Sequence, residues 1–216
     1  EFEGKTSIRY YGDGSLVTGN ELPVDSTSIL AFSVEAVKGI VLNQDVTVLD
    51  SLYIGSSIET ELDSLKRYTL TYHGTENPIF GSPDAEVKGS IRRSNLAIGD
   101  TVYFNNPYTY IYFHNEADKN GIHTLTFRVR PMEYSPLSLG AVNKVKRHFS
   151  IQSYDKDYNL INAGVVATVG YGWRYKPSET EKDENLLLPV EQLVLQRYLD
   201  NSWNAIQSSK IPEIRE

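Results

Sequence analysis

The chain has 216 residues, 40% of them hydrophobic and 23% charged, with 21 Lys and Arg against 28 Asp and Glu. This is the composition of a globular protein able to bury a core. Apart from Lys144, Lys146, Arg147 and His148 its cations are scattered, which argues against the concentrated positive face that nucleic acid binding requires. Cysteine is absent, which excludes disulfides, thiolate metal sites and cysteine nucleophiles, and no run of about 18 apolar residues is present to span a bilayer as a helix.

The opening "EFEGK" has no Met and reads as a trimmed start, with a targeting segment or lipid-bearing cysteine upstream. Residues 1–27, with "YYGDGS" (10–15) and "TGNELPVDS" (18–26), are turn-rich and predict an extended lead-in. From 28 to 177, short segments rich in Val, Ile, Thr, Tyr and Phe recur between Gly, Asn, Asp and Pro. They are "SILAFSVEAV" (28–37), "DVTVLDSLYI" (45–54), "KRYTLTYHG" (66–74), "AEVKGSIRRS" (85–94) and "DTVYF" (100–104), then two arms within 108–130, then "KRHFSIQSYD" (146–155), "YNLINAGVVATV" (158–169) and "GWRYK" (172–176). Strands without alternating crossover helices predict an all-β domain over 28–177, an antiparallel β-sandwich or two small ones. Residues 178–216 are predicted to be an acidic linker, "SETEKDEN" (178–185), and a C-terminal α-helix. Its apolar Leu195, Leu199, Trp203 and Ile206 fall three or four apart, and Pro189 stands near its start. No internal repeat survives a residue-by-residue comparison.

The most regular window is "YTYIYFHNEADKNGIHTLTFRVR" (108–130). Read as a hairpin with 115–121 as its loop, it pairs Phe113 with His123 and Ile111 with Leu125 on a core face that also takes Phe127. Tyr108, Tyr110 and Tyr112 then form a stripe on the other face, and His114 and His123 point to opposite sides, too far apart to share a metal. The stripe is either covered by another layer or is an aromatic surface for a protein or glycan partner, since rigid amphipathic rings supply contact area at small entropic cost. "VGYGWRYK" (169–176) offers a second ladder, Tyr171, Trp173 and Tyr175.

Signatures of chemistry are sparse. Glu116, Asp118 and Asn120 precede Gly121 as in a calcium loop, but Phe127 stands where the bidentate Glu belongs, and in "DKDYNL" (155–160) Leu160 takes the glycine position. Both read as turns. There is no phosphate loop, nucleophile elbow or His-Glu-x-x-His, and the four histidines fall on separate segments. No catalytic residue, metal or cofactor is assigned.

"YTLTYHG", Gly81, Gly89, "LAIGDTVYF" and "YIYFHNEADKNGIHTLTFRV", followed by "HFSIQSYDKDYNLINAGV", resemble the immunoglobulin-like modules of Bacteroidetes envelope lipoproteins, the small conjugal-transfer proteins among them. That resemblance implies an exported, lipid-anchored protein that binds or scaffolds without catalysis, and it carries over no functional residue. The expectation is therefore a noncatalytic bacterial envelope or cell-surface protein making protein or glycan contacts. The alternatives are a structural subunit of a surface appendage or a conjugation or secretion machine, and a β-sandwich hydrolase acting on carbohydrate or peptide.

Overall fold

The computed structural model describes residues 6–22, 28–61, 66–131, 147–172, 196–199 and 202–205. The chain divides into two units, Glu1–Arg130 with Phe149–Gly172, and Pro131–His148 with Trp173–Glu216. In the first unit one plan recurs: a long strand, a three-residue corner and a two-residue strand. Thus β1 (Ser7–Gly12) turns into β2 (Leu16–Val17), β3 (Ile29–Ala36) into β4 (Ile40–Val41), and β5 (Val46–Ile54) into β6 (Ile58–Glu59). A last course is made by β7 (Thr69–Tyr72), β8 (Ile79–Phe80) and β9 (Val87–Arg93). All these strands pair in parallel: β1 on β3 on β5, then β5 on β7 and β8, and on another face β2, β4, β6 and β9. The result is a β-solenoid of about three turns.

This overturns the immunoglobulin-like antiparallel sandwich. Parallel sheets are usually buried on both faces and read as continuous apolar runs. A solenoid buries only the inward side of each strand, so β3 and β9 alternate buried and half-exposed residues just as antiparallel strands do. Alternation reports a buried face and says nothing of strand direction. Within the expected lead-in, Ser7–Gly12 and Leu16–Val17 form the first coil.

Inward residues stack in columns: Ile8, Phe32 and Leu52; Tyr10, Val34, Ile54 and Phe80; Leu16, Ile40, Ile58 and Val87; Val46, Leu70, Ile91 and Phe127. Most of these side chains are fully buried, so the core is continuous along the stack. The offset between stacked partners changes from 24 (Ile8 to Phe32) to 20 (Phe32 to Leu52) and back to 24 (Val46 to Leu70), which is why no sequence period is visible. Corners pack tightly. Gly39 has φ of +75°, and a Cβ there would lie 2.2 Å from the Ser57 carbonyl oxygen of the next coil.

Strand β9 serves two faces: Val87 and Lys88 pair with β6, and 90–93 pair with β7. The bend falls at Gly89, where φ is +103° and a Cβ would meet Thr60 Oγ1 at 2.1 Å. That hydroxyl instead accepts from Ser90 N–H at 2.7 Å, and buried Asn105 donates to the Val87 and Gly89 carbonyls.

Strands β10 (Thr101–Tyr103) and β11 (Tyr110–Tyr112) begin a second, antiparallel sheet, and the one-turn α1 (Glu116–Lys119) follows. Then β12 (Thr124–Pro131) returns to the solenoid antiparallel to β9, β13 (Arg147–Tyr154) pairs with β12, and β14 (Thr168–Gly170) joins β11. The 108–130 window is therefore not a hairpin, since its arms enter different sheets. Ile111, Phe113, Leu125 and Phe127 are nonetheless all buried, because side-chain parity belongs to each strand whatever its partner.

In the second unit, β15 (Gln196–Leu199) and β16 (Ser202–Ala205) form an antiparallel pair with Tyr198 opposite Trp203. They replace the expected C-terminal helix over those residues. Helical spacing of Leu199 and Trp203 arose from two strands flanking Asp200 and Asn201, a pair of turn-forming type. Pro189, Leu195, Ile206 and the acidic linker lie outside the described residues.

Candidate functional site

On β9 the inward positions are Val87, Gly89, Ile91 and Arg93, so an arginine occupies core parity. Arg93 is 1% exposed and stacks in the column between Tyr72 and Leu125. Among the described residues its guanidinium has no carboxylate partner. Nη1 donates to Asn77 Oδ1 at 2.8 Å and to the Tyr103 carbonyl at 2.9 Å, while Nη2 donates to the carbonyls of Glu76 at 2.9 Å and Gly74 at 3.3 Å. Below it the Tyr72 ring centroid lies 5.0 Å from Cζ, a cation–π contact, and Tyr72 donates to the Asp50 carbonyl at 3.1 Å. Burial pushes the guanidinium pKa down to about 10, so it keeps its charge at neutral pH.

Asn77 extends this bolt. Its Oδ1 also accepts from Tyr103 N–H at 3.0 Å, and its Nδ2 donates to the Thr101 carbonyl at 2.8 Å. One side-chain amide thus pairs with the edge of β10 as a strand would. Arg93 and Asn77 together tie the 74–77 loop to β10.

Over this bolt opens a cleft of about 490 Å³, walled by the loop at 75–77, the segment after β9 and residues 100–103. Apart from Ala97 its exposed lining is polar, with Thr75, Glu76, Asn77, Asn95 and Asp100. Tyr103 forms one side, and its ring meets Tyr110 edge-on, centroids 5.9 Å apart at 67°. Tyr110 in turn lies over Gly170, where a Cβ would come within 2.2 Å of the ring. Half-buried aromatic rings therefore adjoin a polar hollow on the outer face of the second sheet.

Of the residues singled out in sequence, Tyr110 belongs to this arrangement. Tyr112 is half-buried opposite cleft-lining Thr101 and packs edge-on against His114, 4.7 Å away. Tyr108 is half-buried in the turn before β11 and covers Gly172, and Tyr171 packs edge-on against Phe149 at 4.9 Å. Trp173 and Tyr175 lie outside the described residues. Of the calcium-like loops, the first holds the one-turn helix α1 and not a hairpin turn, and the second is a turn. Asn115 Oδ1 caps α1 by accepting from Asp118 N–H, and Asp155 Oδ1 accepts from the N–H groups of Asp157 and Asn159.

Beside the cleft, His73 Nδ1 lies 2.6 Å from Ser94 Oγ, and Asn95 Nδ2 donates to the His73 carbonyl. Burial first, then the charges of His123 and Arg92, hold the His73 pKa below its usual 6.5. Because the folded value is the lower one, its contribution to stability is complete above about pH 6.5 and is lost as the pH falls toward the depressed value. Urea midpoints should therefore drop on acidification, and His73→Asn should flatten that dependence over the same interval. An unchanged slope in the variant would exclude His73 as its source.

No protein-family model, curated protein or solved structure matches the chain.

Proposed function

We propose that the chain is a noncatalytic binding protein of the bacterial envelope or surface, and that it holds a carbohydrate where the polar cleft meets Tyr103 and Tyr110. The observation that carries this reading is Tyr103, which lines a hollow of exposed hydroxyl, amide and carboxyl groups and whose ring meets a second half-buried tyrosine. A sugar ring presents C–H groups on its faces and hydroxyls around its rim. Aromatic rings suit the first and convergent polar side chains the second. The bolt of Arg93 and Asn77 fixes both walls before any ligand arrives, which lowers the entropic cost of binding. The tyrosine-rich composition, suited to wet binding surfaces, supports the envelope setting.

A glycan array followed by calorimetry on the strongest hits tests the reading. Tyr103→Ala should weaken binding by about ten- to a hundredfold, the loss typical of a central aromatic contact. Absence of any glycan hit, or affinity indifferent to Tyr103→Ala, would reject it.

A further inference from the structure

Among the described residues the cleft presents two exposed carboxylates and no exposed cation. Its single lining cation among those residues, Arg93, is 1% exposed, and both terminal nitrogens are spent on Asn77, Tyr103, Gly74 and Glu76 oxygens. Asn77 has its amide committed on both sides to Arg93 and β10, and the Asn95 amide nitrogen is committed to the His73 carbonyl. What remains for a ligand is the second N–H and the carbonyl oxygen of Asn95, the hydroxyls of Thr75, Thr101 and Tyr103, and the charged carboxylates of Glu76 and Asp100. Both acids are exposed, and neither has an ion pair among the described residues. Carboxylates accept only, whereas an ammonium group donates three hydrogen bonds and accepts none. The nearby Lys119 does not line the hollow, and its Nζ lies on the Leu96 carbonyl and 3.9 Å from Glu116.

Building on the carbohydrate reading, we infer that the cleft selects sugars bearing a protonated amine and rejects acidic ones. A uronic acid would bring acceptors and negative charge to Glu76 and Asp100, and no cation on the lining could answer it without breaking the bolt. An amino sugar brings the opposite charge, with N–H groups that the carboxylates can accept. Being exposed, these carboxylates act through a screened attraction, so the selectivity is moderate and falls with salt.

The full chain is titrated by calorimetry, at mildly acidic pH where the sugar amine is charged, with oligomers of glucosamine, N-acetylglucosamine and galacturonic acid of matched length. The glucosamine oligomer should bind about three- to tenfold tighter than its N-acetylated counterpart, and the galacturonate oligomer should bind weakest. Added salt should narrow the gap. Asp100→Asn should remove most of the preference, read as the ratio of glucosamine to N-acetylglucosamine affinity. Galacturonate binding as tight as glucosamine, or a preference untouched by Asp100→Asn, would overturn the inference and leave the carbohydrate reading standing. Failure of all three oligomers and of a wider glycan array would remove both.

Discussion

Replacing Arg93 with methionine is expected to destabilise the protein by about 3 to 5 kcal/mol, the range seen when one side of a buried charged contact is removed. Methionine fills much of the same volume and keeps the apolar stem in its column, so the loss is not mainly a cavity. It arises from four oxygens, those of Asn77, Tyr103, Gly74 and Glu76, that lose their donor together. The 75–77 loop is exposed and can turn some of them to water, which places the value nearer the lower end. Arg93→Lys should recover only part, because an ammonium cannot span acceptors on both a loop and a strand as the planar fork does. Urea unfolding gives the numbers. A loss below about 1 kcal/mol would show that the guanidinium contributes no more than an ordinary hydrogen bond.

Phe127→Ala is expected to cost about 3 to 5 kcal/mol as a large truncation in a close-packed core. Phe127 is fully buried, faces Ile91 across the β9–β12 ladder and stacks on Phe104 with centroids 4.2 Å apart. It therefore joins the solenoid to the segment that follows β10. Tyr110→Ala should cost about 1 to 2 kcal/mol, since its half-buried ring loses an edge contact with Tyr103 and its cover of Gly170. Equal losses in parallel urea titrations would mean that the tyrosine face is as deeply packed as the core.

The sequence disclosed which side chains go inward far better than what the strands pair with. Ile111, Phe113, Leu125 and Phe127 are core residues, as their alternation indicates, yet the hairpin drawn through them does not exist. Parity is local, whereas pairing partners lie about 20 residues away in a solenoid and depend on how the corners turn. The corner chemistry, Asp13 to Ser15, Val37 to Gly39 and Gly55 to Ser57, looks like ordinary turn punctuation, and uneven offsets conceal the repeat. The cleft was less legible still. Its polar lining sits in stretches such as "HGTENP" (73–78) that read as loop. One signal was available: Arg93 stands on the same parity as Val87 and Ile91, and an arginine on a core face demands a partner set.

The stacked offsets carry an evolutionary consequence. Each strand is held by the strands before and after it, so the chain between strands is free to change length wherever it leaves the ladder. Residues 73–78, which run between β7 and β8 and wall the cleft, are such an excursion. Insertions or exchanges there can remodel ligand choice without disturbing the columns beneath, provided Gly74, Glu76 and Asn77 still offer their oxygens to Arg93. The buried arginine thus marks the boundary between the part of this protein that selection can vary and the part that it must keep.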